Sequence, residues 1–138
     1  MLLVDTNVLL DVFGNDPNWV EWSLQQLRAQ AQVHELCINP VIWSELSLAF
    51  ESVQALDRAI ADMHLRYLEL PRPALFLAAR AFVKYRREGG TRSNVLPDFF
   101  IGAHAAVLDC SILTRDGRRY RSYFPRLTLI MPCHNDVR

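Results

Sequence analysis

Met1-Leu2-Leu3-Val4-Asp5-Thr6-Asn7-Val8-Leu9-Leu10-Asp11-Val12-Phe13 opens the chain, and its reading decides the fold. Met1 to Val4 are apolar without a break, as in a strand buried on both faces, and the run stops at Asp5-Thr6-Asn7. Val8, Leu9, Val12 and Phe13 then recur at helical spacing. The stretch predicts strand, turn and helix, with an aspartate just past the carboxyl end of the strand. Outward from it the pattern repeats. Gly14-Asn15-Asp16-Pro17 breaks the helix, and Trp19 to about Ala31 resumes it with Val20, Leu24, Leu27 and Ala31 on one stripe. A strand over Val33 to Ile38 is followed by Asn39-Pro40, an N-cap residue and a proline for the first helical position, opening a helix through about Phe50. A further helix is expected from Val53 to His64 and a short strand near Tyr67 to Leu70. Pro71 and Pro73 precede a helix from Ala74 to about Glu88, which Gly89-Gly90 terminates, and Gly89 to Leu96 reads as a mobile loop. Pro97-Asp98 opens an apolar helix, Phe99 to Leu108, and Ser111 to Leu113 and Thr128 to Met131 supply the last strands. Strands alternating with helices imply the α/β class, a central parallel sheet in a three-layer α/β/α arrangement.

At 138 residues with 51% hydrophobic side chains, the chain has the material for one core, so residues 1–138 are expected to form a single domain. No apolar run approaches the roughly 18 residues that cross a bilayer, and the N-terminus lacks the basic region and cleavage site of a secretory signal. Cys37, Cys110 and Cys133 are odd in number and form no CxxC pair, which fits a reducing compartment. These features predict a cytoplasmic protein with no membrane contact. His34, His64, His104 and His134 share no ligand spacing, and His104, inside the apolar helix, reads as a packed core histidine.

The neutral net charge hides a division. Residues 1–70 carry three arginines against ten acids, a net of −7; residues 71–138 carry eleven arginines and one lysine against five acids, a net of +7. Such a dipolar chain can hold cations at one place and a polyanion beside it.

In open parallel sheets ligands bind beyond the carboxyl ends of the strands, and Asp5 and Asp116 lie just past such ends. Asp98 stands at the mouth of the helix leading into the strand before Asp116, and Gly102 and Ala105 on its own stripe would leave room for a pocket. Glu45 interrupts a stripe of Val41, Ile42, Leu48 and Ala49, and an inward carboxylate needs a cation partner. Each acid also has an ordinary reading: Asp5 as a helix cap, Asp98 as a charge at a helix N-terminus, Asp116-Gly117 as a turn pair and Glu45 as a solvated residue. Their joint arrangement at one sheet edge favours one site. Four oxygen donors without cysteine or histidine suit Mg²⁺ or Mn²⁺ rather than zinc, and the chemistry that follows is phosphodiester hydrolysis. Asp11, Asp57, Asp62 and Glu88 lack such positions and read as surface charges.

At this point the residues resemble a known family. Leu3-Val4-Asp5-Thr6-Asn7-Val8-Leu9-Leu10-Asp11, Ser44-Glu45-Leu46, Leu96-Pro97-Asp98-Phe99-Phe100-Ile101-Gly102-Ala103-His104-Ala105 and Leu113-Thr114-Arg115-Asp116 are similar, in order and spacing, to the four motifs of PIN domains, and within them of VapC-type toxins of bacterial toxin–antitoxin pairs. The resemblance implies an endoribonuclease using Mg²⁺ or Mn²⁺, with Asp5, Glu45, Asp98 and Asp116 as the acidic quartet and Thr6 and Thr114 supporting it through hydrogen bonds. It also implies a homodimer and an antitoxin whose C-terminal segment blocks the site. Tyr120 stands where many relatives have Phe, and Arg118-Arg119 add positive charge beside the fourth acid.

Most positive charge lies in two stretches, Arg80 to Arg92 and Arg115 to Arg126, with Tyr85, Tyr120 and Tyr123 interleaved. Arginine for phosphate and tyrosine for base stacking suit single-stranded RNA, and Arg92, Arg115, Arg118 and Arg119 are the candidate contacts. Trp19 and Trp22 read as core or dimer contacts. Three rivals remain. A receiver-like module would need a lysine near a late strand end, whereas the sole lysine, Lys84, is mid-helix; a haloacid dehalogenase-type phosphatase would need a second aspartate where Asn7 stands; a PIN nuclease of RNA maturation would lack an antitoxin.

Overall fold

The structure, a computed structural model, describes residues 1–133. His134 lies outside them.

Five parallel strands form one sheet in the order β3-β2-β1-β4-β5. They are β1 Leu2–Val4, β2 Leu36–Ile38, β3 Arg66–Tyr67, β4 Ser111–Leu113 and β5 Leu129–Ile130. The helices, among the described residues, are α1 Thr6–Phe13, α2 Val20–Ala31, α3 Pro40–Leu46, α4 Val53–Asp62, α5 Arg72–Arg87, α6 Leu96–Leu108 and α7 Arg118–Tyr123, with a 3₁₀ turn at Ser47–Ala49. This is the expected three-layer arrangement. From β1 the chain steps outward through β2 to β3, then crosses back to β4 on the other side of β1 and continues to β5. With right-handed crossovers, α1 to α4 cover one face and α5 to α7 the other. The direction of travel reverses between β1 and β4, so a crevice opens beyond their carboxyl ends, where neighbouring connections part to opposite faces.

The interior explains the apolar strands. Leu2, Leu3 and Val4 of β1 and Ile112 and Leu113 of β4 are fully buried, and side chains from the flanking helices, Leu9, Ile42, Leu56, Ala78 and Phe99 among them, close over the sheet. Helix α3 starts as its sequence dictates: the Asn39 Oδ1 accepts from the Ile42 N–H at 2.9 Å with Pro40 in the first turn. The Asn39 amide donates to Nδ1 of His104 at 3.2 Å, so this buried histidine is neutral, its pKa lowered by burial.

Four local expectations change. Helix α3 ends at Leu46, and Leu48 is 93% exposed, so the apolar stripe around Glu45 consists of Val41 and Ile42 only. Helix α7 was not expected, because Arg118-Arg119-Tyr120-Arg121-Ser122-Tyr123 has neither an apolar stripe nor a side-chain cap. The space beside Gly102 is filled: a Cβ there would stand 2.5 Å from the Phe124 ring and 3.1 Å from that of Tyr120, so the glycine lets α7 pack against α6 and opens no pocket. Asp11 is not a surface charge. It is 3% exposed, accepts from Ser23 Oγ at 2.6 Å, and is gripped by Arg115 through Nε at 2.6 Å and Nη2 at 2.9 Å. No helix among the described residues is long and apolar enough to cross a membrane.

Candidate active site

Asp5 is where the β1 run meets α1. Its backbone N–H continues the ladder to the Leu113 carbonyl of β4 at 2.9 Å, and its side chain caps α1 by accepting from the Thr6 N–H at 2.8 Å through Oδ1. The cap reading of Asp5 is therefore met by Oδ1, and Oδ2 is left for other partners. The second oxygen, Oδ2, accepts from the Thr114 hydroxyl at 2.8 Å and the Tyr120 hydroxyl at 2.9 Å. Three donors on a carboxylate that is 5% exposed would ordinarily favour its charged form, yet burial outweighs them and the charge of Asp98 adds to it, raising the pKa to about 6.

Around Asp5 the other acids arrive from separate elements. Glu45, on the last turn of α3, accepts from the Thr6 hydroxyl at 2.6 Å through Oε1; burial, with Asp98 contributing, raises its pKa. Asp98, in the first turn of α6, accepts from Arg119 Nη1 at 3.0 Å, and its pKa is raised by burial against the opposing effect of that arginine. Asp116, in the loop after β4, receives a two-pronged contact from Arg118, Nε to Oδ1 at 3.0 Å and Nη2 to Oδ2 at 2.9 Å, which holds its pKa below the ordinary value. All four acidic residues line one cavity of about 540 Å³, together with Thr6, Asn7, Tyr85, Arg92, Arg118, Arg119, Ser122 and Tyr123.

Thr114 does not line the cavity; it sits behind it, fully buried, and fixes Asp5. Arg115 is placed elsewhere. It lies against Asp11 and over the Trp19 ring, 4.9 Å from the ring centre, so it ties the β4 loop to α1 and is no candidate phosphate contact. Nor does Tyr120 offer a face for base stacking, being buried with its hydroxyl on Asp5; burial among the acids pushes its pKa well above that of a free tyrosine. Three residues central to the geometry escaped the sequence reading. Tyr120 is one, and its only signal was its position after the fourth acid. Asn7 is another: its amide donates to Thr114 Oγ1 at 3.2 Å and its carbonyl accepts from the Arg115 N–H at 3.2 Å, clamping the ends of β1 and β4 together. Asp11 is the third.

The donors are all carboxylate oxygens, and burial with mutual repulsion raises the pKa of Asp5, Glu45 and Asp98, so a bound cation would favour their ionised form, which is the character of a hard-cation site. As they stand, no three His, Cys, Asp or Glu side chains among the described residues converge closely enough to hold an ion. Glu45 is tied to Thr6 and Asp98 to Arg119, and of the two the charged Arg119 contact is the one a cation would compete with. Lys84 faces Glu88 on α5 at 4.0 Å and does not line the cavity, so the lysine of a receiver-type site is missing there.

No curated protein sequence matches the chain. Among solved structures, a chain of VapBC2 from Rickettsia felis bound to a DNA fragment from its promoter has a TM-score of 0.72 at 15% identity, covering 96% of this chain and 98% of that one. FitAcB from Neisseria gonorrhoeae gives 0.69 at 18% identity over 97% and 99%, and DNA-bound VapBC from Salmonella typhimurium gives 0.68 at 20% over 96% and 98%. At these identities the likeness is one of fold. The PIN domain family model matches residues 2–125, a span that takes in β1 to β4, all seven helices and all four acids of the cavity, and the chain belongs to the PIN domain family.

Proposed function

We propose that this chain is a divalent-metal-dependent endoribonuclease, the toxin of a toxin–antitoxin pair, acting in the cytoplasm. The observation that carries the reading is the meeting of Asp5, Glu45, Asp98 and Asp116, drawn from four separate elements, in one cavity at the switch point between β1 and β4. An acidic floor beside Arg92, Arg118 and Arg119 is the charge pattern that cleavage of a polyanion at a bound cation requires.

Asp5, Glu45, Asp98 and Asp116 would hold Mg²⁺ or Mn²⁺. When bound, such an ion supplies Lewis-acid activation of water for in-line attack at phosphorus and neutralises charge on the phosphoryl group. The protein's own part is positioning. Thr114, Tyr120 and the Thr6 N–H lock the Asp5 carboxylate in one orientation, and the Thr6 hydroxyl does the same for Glu45. Arg92, Arg118 and Arg119 would meet the phosphodiester backbone, and Tyr85 and Tyr123, which also line the cavity, would meet the bases of a single strand. Single-stranded RNA is favoured because splayed bases can reach tyrosines that a duplex would keep at a distance.

The VapBC and FitAcB structures supply the analogy for an antitoxin partner, and the resemblance to VapC-type toxins implies a second copy of the chain. Exposed apolar side chains here, Leu48 and Val53 around α3 and α4, and Phe76 and Val83 on α5, give those contacts surface to use.

The test is incubation of total RNA with the purified protein in Mn²⁺ or Mg²⁺, alongside an EDTA control and Asp98→Asn. Discrete fragments that disappear in both controls are expected. Intact RNA with the folded wild-type protein would overturn the nuclease reading, and a neighbouring gene for a small antitoxin separates the toxin from an RNA-maturation enzyme.

A further inference from the structure

The four acids are not neutralised in the same way. Asp5 and Glu45 face hydroxyl and backbone donors, while Asp98 and Asp116 each face a guanidinium from successive residues of α7. The two ion pairs differ in setting. Arg118 and Asp116 are mostly exposed, so water screens them and little holds the pair together. Arg119 is 25% exposed and Asp98 36%, and the guanidinium also rests over the Tyr85 ring, 5.8 Å from its centre.

Asp5, Glu45 and Asp98 form the interior of the site, and among the described residues Arg119 is the one basic side chain ion-paired with any of them. Its contact with Asp98 uses Nη1 and Oδ2 only, which leaves the other guanidinium N–H groups outside that pair on a side chain that lines the cavity. A long side chain on the rim, with an aromatic ring beneath it, has two anionic destinations within the arc of its rotamers: the Asp98 carboxylate and any phosphate entering the cavity.

We propose that Arg119 is a built-in counter-ion that competes with a divalent cation for Asp98 and, once displaced, pivots over Tyr85 to take a phosphate of the bound RNA. The inference rests on the metal-nuclease reading and adds a coupling to it. While Arg119 sits on Asp98 the cation is held less tightly. A phosphate that draws Arg119 away removes the competitor, so substrate and cation each strengthen the binding of the other. Asp98 is thereby kept neutralised by the chain itself until both are present.

Mn²⁺ binding, followed by electron paramagnetic resonance of the free ion, and KM for an RNA substrate at saturating Mn²⁺ are measured on the wild type, Arg119→Gln, Arg119→Lys and Asp98→Asn. The part-exposed pair sets the size of the effect, about fivefold tighter Mn²⁺ binding in Arg119→Gln. The same variant shows a KM raised severalfold, and Arg119→Lys, which keeps a charge for both destinations, lies near the wild type in both. Opposite movement of the two constants is what a merely structural arginine does not give, since loss of packing weakens both. Arg119→Gln binding Mn²⁺ no more tightly than the wild type, with Asp98→Asn having lost binding, overturns the competition and leaves the metal site standing. Absence of Mn²⁺ binding by the wild type overturns both readings. Thermal melting in EDTA shows that each variant is folded, and should Arg119→Gln fail to fold, Arg119→Met, which keeps the packing over Tyr85 without the charge, decides: Mn²⁺ binding no tighter than the wild type refutes the role.

Discussion

Replacing Asp5 by Asn isolates the cost of burying a charge at the floor of the cavity. The Asp5 carboxyl goes from an ordinary pKa of 3.8 to about 6 in the fold, a difference of about 2 units or about 3 kcal/mol against the ionised form. Because the folded pKa is the higher one, the fold favours the protonated carboxyl. That contribution to stability is complete below pH 3.8 and is lost as pH rises through about 6. Asparagine carries no charge to desolvate, so its stability does not follow this decline. Its own cost is in hydrogen bonding: the Asn oxygen can keep the Thr6 N–H, and the amide then faces Thr114 and Tyr120, whose hydroxyls must turn to accept, at about 1–2 kcal/mol. In EDTA, Asp5→Asn is therefore expected to be less stable than the wild type near pH 4 and more stable, by about 1 kcal/mol, at pH 8. The assay is thermal or urea denaturation of both proteins across that range, where titrating groups not coupled to Asp5 cancel in the difference and Asp98, which is coupled to it, adds a smaller change in the same direction. The gap in Tm should swing by about 10 °C between the two ends, at roughly 4 °C per kcal/mol. A gap that stays constant with pH would refute the reasoning, since the carboxyl would then not be ionising at a burial cost. Excess Mg²⁺ at pH 8 should return the advantage to the wild type, because only it gains a ligand for the cation.

Tyr120→Phe removes one of the two hydroxyl donors that favour the Asp5 carboxylate, so the Asp5 pKa rises further and the acidic limb of the RNA-cleavage profile moves to higher pH; an unchanged limb would assign Tyr120 to packing alone. Gly102→Ala pushes a methyl against Phe124 and Tyr120 and should lower stability by about 1–3 kcal/mol on urea denaturation. Asp11→Asn leaves Arg115 half-buried without its carboxylate and disturbs Ser23, for a loss of about 2–3 kcal/mol, while cleavage per folded molecule is retained; loss of activity in fully folded protein would instead tie Asp11 to the chemistry.

Most of the sheet was legible because buried parallel strands are short, apolar and bounded by turn signals, and because caps such as Asn39-Pro40 act through local chemistry. Asp5, Asp98 and Asp116 were legible for a related reason: strand ends and helix starts can be located along the chain, and the topology brings those ends together. Glu45 was reached through a stripe that is only half present, since Leu48 points to solvent once α3 ends at Leu46. What the sequence hid are partnerships across long separations. Asp11 and Arg115 look like two surface charges until the fold sets them 2.6 Å apart, 104 residues distant along the chain. In the same way nothing local distinguishes Arg119, which faces Asp98, from Arg121, on the exposed side of α7, or tells that the tyrosine between them turns inward.

The assembly of the cavity from segments centred on residues 5, 45, 98 and 116 has a consequence for the life of the molecule in the cell. A chain emerging from the ribosome presents Asp5 first, yet the hydroxyls that orient it, on Thr114 and Tyr120, are made more than a hundred residues later. Until β4 and α7 have docked, the acids are dispersed on an unfinished sheet and the cavity does not exist. Whatever chemistry the cavity performs can begin only once the last of these segments has closed it, and any molecule that restrains it is needed only from that point on.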